Sequence, residues 1–189
     1  MRTLSDNKEV RSVAFDARGL YLASGSSDNT VKVWEPGTGK LLRTLSGHKG
    51  EVNSVAFDAQ GLYLASGSDD KTVKVWEAGT GKLLRTLSDH KGPVSSVAFD
   101  AQGRWLVSGS EDGTIRYWDP ATGECLAILF AGPEGWVSYR PATGQYRYGG
   151  DLQGQFWHSI GLARYEVGEL DAFYPGLRLA EGEPLVAGG

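Results

Sequence analysis

The chain has 189 residues, 40% of them apolar and 22% charged, with a formal net charge of −4. That balance belongs to a globular protein with a sizeable core, and without a Lys/Arg run it offers no footprint for nucleic acid or an anionic membrane. No stretch reaches membrane-spanning length, MRTLSDNKEV lacks the apolar run of a leader, and the lone Cys125 excludes an intrachain disulfide and a cysteine-built metal cage, so a cytoplasmic protein is expected.

In chain order, the first legible elements are also repeated ones. VRSVAFDARGLYLASGSSDNTVKVWEPGTGKLLRTL, residues 10–45, returns at 52–87 with five differences in 36 positions, and more loosely from Val94 as VSSVAFDAQGRWLVSGSEDGTIRYWDPATGECLAIL. Trp34, Trp76 and Trp118 mark a step of 42 residues. Each copy breaks into four strand-like runs separated by turn chemistry. In the second copy VNSVAF, LYLASGS, TVKVW and LLRTL are the predicted strands, and DAQG, SDDK and EAGTGK the turns. Four antiparallel strands in succession make a small twisted sheet that buries too little alone and must stack on neighbours.

The period, the GH pair and a Trp closing the third strand as WE, WE and WD resemble the WD-repeat β-propellers. The resemblance implies an all-β fold with three regular four-stranded blades over residues 1–130. It also implies a buried hydrogen-bonded tetrad in each blade. By position these are His48, Ser66, Asp70 and Trp76 in the second blade, and His90, Ser108, Asp112 and Trp118 in the third. The first blade keeps Ser24, Asp28 and Trp34 but carries Asn7 at the histidine position, so its entry loop is expected to be looser. An imidazole between a turn carboxylate and a hydroxyl satisfies its own polar groups, and a buried indole N–H needs an acceptor. The histidines are therefore read as structural.

Residues 131–167 align with the third copy once one turn residue is dropped, with Trp136 at the place of Val94. WVSY, QYRYG, QFWHSI and LARYEV keep the strand rhythm, while Gly132, Gly149, Gln153 and Ser159 occupy the tetrad positions. A degenerate fourth blade is expected, with a cap outside the propeller as the alternative. Residues 168–189 read as a docking tail in which Phe173, Tyr174, Leu177 and Leu179 form an apolar cluster assigned to self-association. The segments GWVSYRPATGQYRYGG and FWHSIGLARYEVGELD resemble the closing part that comes after WD repeats in some large bacterial regulatory proteins, where such arms accompany NTPase or caspase-like modules.

A seven-bladed ring would need about 300 residues. Three blades and a degenerate fourth leave an incomplete ring with two wet faces, lined by residues such as Val13, Val31 and Leu22. Closure by oligomerisation is expected, with two chains forming an eight-bladed ring as a twofold dimer. The stub RTL, residues 2–4, repeats the outer-strand sequence of 43–45 and could complete a partner's last blade.

The resemblance places partner contacts on the face around the channel: Glu9, Arg11 and Ser27; Glu51, Asn53 and Asp69; Pro93, Ser95 and Glu111. This mildly acidic rim predicts a protein or peptide partner carrying basic residues, with no nucleic acid and no membrane. Two of the five differences between the first two copies, Arg11/Asn53 and Ser27/Asp69, fall on it.

GTGK at 37–40 and 79–82 lacks the further Gly and the subsequent Ser/Thr of a phosphate loop and reads as a strand-to-strand turn. No nucleophile or metal motif is present, so a non-enzymatic scaffold without cofactor or metal is expected. The alternatives are a lectin-like propeller stacking sugars on Trp136, Trp157 and Tyr146, an enzyme using His158 at a shared site, and an excerpt of a larger bacterial regulatory protein whose NTPase or protease module is absent.

Overall fold

The computed structural model describes residues 8–150, 157–160, 163–166, 175–180 and 182–186. The expectations for the RTL stub, Asn7, Gln153, Phe173 and Tyr174, and for the side chains of Trp157, His158 and Ser159, lie outside the described residues. Among the described residues the fold is all-β, with one 3-10 turn.

The strands of the first copy are β1 (Val10–Phe15), β2 (Leu22–Ser26), β3 (Thr30–Glu35) and β4 (Lys40–Ser46), and those of the second are β5 (Val52–Phe57), β6 (Tyr63–Ser68), β7 (Val73–Glu77) and β8 (Leu83–Leu87). Each set forms one antiparallel meander in sequence order. The third copy supplies β9 (Val94–Phe99), β10 (Leu106–Ser110), β11 (Thr114–Trp118) and β12 (Cys125–Ala131); then come β13 (Gly135–Tyr139), β14 (Tyr146–Gly150), β15 (Trp157–Ile160) and β16 (Ala163–Glu166).

The first turn of each copy is closed by an aspartate. Asp16, Asp58 and Asp100 each accept the backbone N–H five residues on through Oδ1, at 2.7, 2.8 and 2.9 Å. This side-chain bond substitutes for a backbone one and fixes the reversal. The glycine three residues after each aspartate takes the left-handed conformation the turn requires, at φ of 69°, 67° and 71°.

The chain falls into two compact units, residues 1–112 with 118–124, and residues 113–117 with 125–189. In the first unit the sheets stack face to face. Ala23, Val31, Val33 and Leu45 of the first sheet share one buried cluster with Val52, Val55, Leu64 and Trp76 of the second. The closeness of that contact depends on glycine. A Cβ on Gly25 would lie 2.8 Å from Cγ1 of Val52, and one on Gly67 would lie 2.6 Å from Cγ1 of Val94. A hydroxyl accompanies each apolar contact: Ser12 Oγ accepts the Val55 N–H at 3.1 Å, and Ser54 Oγ accepts the Val97 N–H at 3.1 Å. Of the residues expected on wet faces, Val31 is instead fully buried and Leu22 half-buried, because both belong to a sheet covered by the next one; Val13 remains 62% exposed.

The second unit departs from the expected arrangement of its strands. The segments read as a fourth blade do form strands, but β13 pairs with β12, the outer strand of the third copy, and β14 pairs with β13. β15 and β16 form a separate two-stranded hairpin, Trp157 opposite Glu166. The unit boundary accordingly cuts through the third copy, not at 130/131. The cause is local. Between the first two sheets the chain crosses through Gly47–Glu51, a loop anchored by a histidine, whereas Gly132, Pro133 and Glu134 make a tight reversal in which the Gly132 N–H meets the Gly135 carbonyl at 2.8 Å. Without an anchor on another sheet, the chain folds back on the strand it has just left.

The tail docks within its own unit. The Leu179 N–H donates to the Tyr146 carbonyl at 2.7 Å, and the Arg140 guanidinium binds Glu183 at 3.0 Å and the Leu185 carbonyl at 2.9 Å. Leu177 packs on the cluster of Val137 and Tyr146, and Leu179 is 3% exposed. The assignment of Leu179 to self-association is therefore corrected, since its side chain is covered by its own chain, whereas Leu177 is half-buried.

Gly67→Ala should destabilise the protein by about 1–3 kcal/mol, the usual cost of overpacking. Gly79→Ala, at a position with no atom within 4 Å, should be close to neutral. Urea unfolding of the two variants beside the wild type checks this.

Candidate functional site

In the second sheet β6, β7 and the loop before β5 bring His48, Ser66, Asp70 and Trp76 together. Trp76 Nε1 donates to Ser66 Oγ at 2.9 Å, His48 Nε2 lies 2.8 Å from the same oxygen, and His48 Nδ1 lies 2.8 Å from Asp70 Oδ2. The third copy repeats the arrangement: Trp118 to Ser108 at 2.8 Å, His90 to Ser108 at 2.7 Å, and His90 to Asp112 at 2.8 Å. In both sets the histidine and serine are buried.

One assignment of protons satisfies every member. The indole N–H donates to the serine oxygen, the serine O–H donates to Nε2, and Nδ1–H donates to the carboxylate. A protonated ring would turn Nε2 into a donor and leave the serine proton without an acceptor within the set. Burial pushes the His48 pKa below its ordinary value of 6.5, against the pull of Asp70. Burial raises Asp70, but the bonds from Thr72, the Lys49 amide and His48 outweigh it and hold the carboxyl at about 2. The set is a neutral imidazole on a carboxylate. It ties the crossing loop to the sheet it leads into.

The first sheet solves the same problem differently. Trp34 Nε1 donates to Ser24 Oγ at 2.9 Å as in the other copies, but Asp28 pairs with Lys32 Nζ at 2.9 Å. The corresponding Lys74 of the second sheet turns instead to Thr86 Oγ1, at 3.0 Å, because its aspartate is occupied by histidine. This lysine substitution was missed in sequence reasoning. So was the inter-sheet serine, although Ser12, Ser54 and Ser96 recur at one position of the repeat and were a readable signal.

The nine rim positions cluster by copy. The Ser27 N–H bonds the Glu9 carbonyl at 2.9 Å, the Asp69 N–H bonds the Glu51 carbonyl at 3.0 Å, and the Glu111 N–H bonds the Pro93 carbonyl at 2.9 Å. Side chains link them further. Asn53 Nδ2 donates to Asp69 Oδ1 at 2.6 Å and to the Val94 carbonyl at 3.2 Å, and Arg11 pairs with Glu51 of the crossing loop. Glu9, Arg11, Asp69, Ser95 and Glu111 are exposed; Ser27, Glu51, Asn53 and Pro93 are half-buried. Of the aromatics expected to stack a sugar, Trp136 is 42% exposed, but Tyr146 is completely buried beneath the tail and is withdrawn from that set.

A family model described as WD domain, G-beta repeat matches three times, over residues 1–35, 39–77 and 81–119. The chain belongs to the WD40 repeat family. Ribosome biogenesis protein BOP1 homologs of Drosophila virilis and Drosophila melanogaster are 56% identical over 36 residues, which is 19% of this chain and 5% of theirs. The solved structures of U3-55K and of the RRP9 WD40 repeats align at a TM-score of 0.65 with 23% and 24% identity, over 79% and 76% of this chain and 51% and 48% of theirs. The chain thus spans about half the length of those solved chains, and the likeness establishes the WD40 propeller fold. The Drosophila relatives lend no support to the bacterial resemblance of the C-terminal segment.

Ser66→Ala leaves both the Trp76 N–H and His48 Nε2 without their partner and should cost about 1–3 kcal/mol in urea unfolding. Acid should weaken the fold in two stages. As pH falls through 6.5 the unfolded chain takes up a proton that folded His48 resists, so stability declines. The contribution of Asp70 is full above its ordinary value of 3.8 and is lost as pH falls toward about 2. Urea midpoints between about pH 8 and about pH 5 should slope less in His48→Gln than in the wild type.

Proposed function

We propose that this WD40 chain is a non-catalytic scaffold that holds a protein or peptide on the rim formed by Glu9, Arg11, Ser27, Glu51, Asn53, Asp69, Pro93, Ser95 and Glu111, and that it associates with a second copy to complete a propeller. The commitment of His48 and His90 to tetrads carries this reading. Both imidazoles are buried and bonded at each ring nitrogen. Neither is placed to exchange a proton with a substrate, which a general acid or base must do.

The rim has the converse properties. Its carboxylates Glu9, Asp69 and Glu111 are exposed, and Arg11 is already paired with Glu51. Acidic groups held in register by backbone bonds favour a basic segment, with electrostatics setting the encounter rate and choice of partner more than the final affinity. The names of the Drosophila relatives point to ribosome biogenesis. Identity over 36 residues supports the repeat more than the pathway.

The Glu51→Lys, Asp69→Lys double variant should bind a basic peptide about tenfold or more weakly while still unfolding in one cooperative transition. Fluorescence anisotropy with a labelled lysine- and arginine-rich peptide measures it. Equal binding by variant and wild type would reject this face.

A further inference from the structure

We infer that β1 and β10 are the two halves of a directional joint between copies of this chain, the valine pair Val10 and Val13 of one copy seating on Gly109 of the next. The inference rests on the proposed self-association and specifies how the contact is made.

The sheet-to-sheet contact occurs twice inside the first unit, each time from the same three parts. The first is a valine pair on the leading strand of a sheet. Val52 and Val55 are 0% and 5% exposed, and Val94 and Val97 are 0% and 6%. Their counterparts Val10 and Val13, on the same VxSVAF sequence, are 45% and 62% exposed. The second part is the glycine that receives them. Gly25 and Gly67 leave no room for a Cβ beneath the valines of the next sheet, whereas Gly109 has no atom within 4 Å of where its Cβ would stand. The third part is the serine hydroxyl that accepts an amide of the next leading strand. Ser12 and Ser54 make that bond, and Ser96, at the same place on β9, is exposed and makes none among the described residues.

Each part is therefore left over once, the valine pair at one end of the series and the glycine and serine at the other, and the leftovers match. A valine pair on a VxSVAF strand fits Gly67, and β1 presents such a pair. Val107 stands where Ala23 and Ala65 stand in the earlier sheets and is only half-buried. The occupant proposed is a second copy of this chain, because stacking it repeats a contact the chain already makes twice. The two surfaces differ from one another, so the joint is heterologous, and copies joined by it close into a ring or extend in one direction.

The test uses two variants of the full chain that block opposite halves. Val13→Glu alters an exposed side chain, and Gly109→Val adds methyl groups where the chain itself has open space, at a residue without positive φ. Sedimentation equilibrium should show the wild type above its 20.3 kDa monomer mass, and each variant alone weakened by about tenfold or more in self-association. An equimolar mixture should recover a mixed dimer and nothing larger, since intact Val13 from one variant meets intact Gly109 from the other. Singly weakened variants whose mixture recovers nothing overturn the directional joint. Variants that associate as tightly as the wild type show that copies meet elsewhere, which overturns the joint and spares the self-association reading. A wild type that stays at 20.3 kDa overturns both.

Discussion

A four-stranded antiparallel meander has one constraint it cannot meet alone: both of its faces carry apolar residues, and each needs another sheet. In this chain the requirement is met by valines pressed into glycine positions. Val52 and Val55 cover the first sheet at Gly25, and Val94 and Val97 cover the second at Gly67. Glycine there serves close approach. Its lack of a Cβ lets two backbones come near enough for the valine side chains to exclude water from Ala23, Val31 and Val33. The serine hydroxyls beside these contacts satisfy edge amides that would otherwise face the opening between leading strands.

Stacking also requires the chain to leave the outer edge of one sheet and enter at the inner edge of the next. The tetrad makes that crossing stable. His48 reaches from the crossing loop into a pocket between Ser66 and Asp70, and the Lys49 amide adds a second bond to the same carboxylate at 2.9 Å. Because every polar atom has a partner, the loop is fixed without an unsatisfied buried group. The first sheet shows how far this can be relaxed. There a lysine from the sheet itself neutralises Asp28, so carboxylate and indole stay satisfied without a histidine.

The second unit lacks this device, and its strands pair differently. The loop after β12 carries glycine and proline in place of Gly-His or Asp-His, and β13 returns alongside β12 in a plain hairpin. The exposed flank of that extended sheet is covered by the chain's own ending. Arg178 stands 4.9 Å from the centre of the Tyr148 ring, and the Arg140 and Arg147 guanidiniums of the sheet donate to the backbone carbonyls of Leu185 and Glu183 in the tail. Apolar residues near the end of a chain look from sequence like a contact for another molecule. Here two of the four, Leu177 and Leu179, pack within the unit.

How much was legible depends on the range of each interaction. The 42-residue step, the strand runs and the turn aspartates and glycines are local patterns, and the period placed the tetrad members at positions where the structure brings them together. The exchange of His for Lys32 was hidden because it depends on which way a flexible side chain turns. The pairing of β13 was hidden for a different reason. WVSY has the same strand character whether it begins a new sheet or lengthens an old one, and the choice is made by hydrogen bonds to β12 and by a missing anchor. Sequence alone settled that this chain builds repeated four-stranded sheets with polar locks, since period and residue type suffice for that. Which surfaces remain open depended on the packed structure, since Val13 and Val55 are the same residue in the same motif and differ only in whether another sheet lies against them.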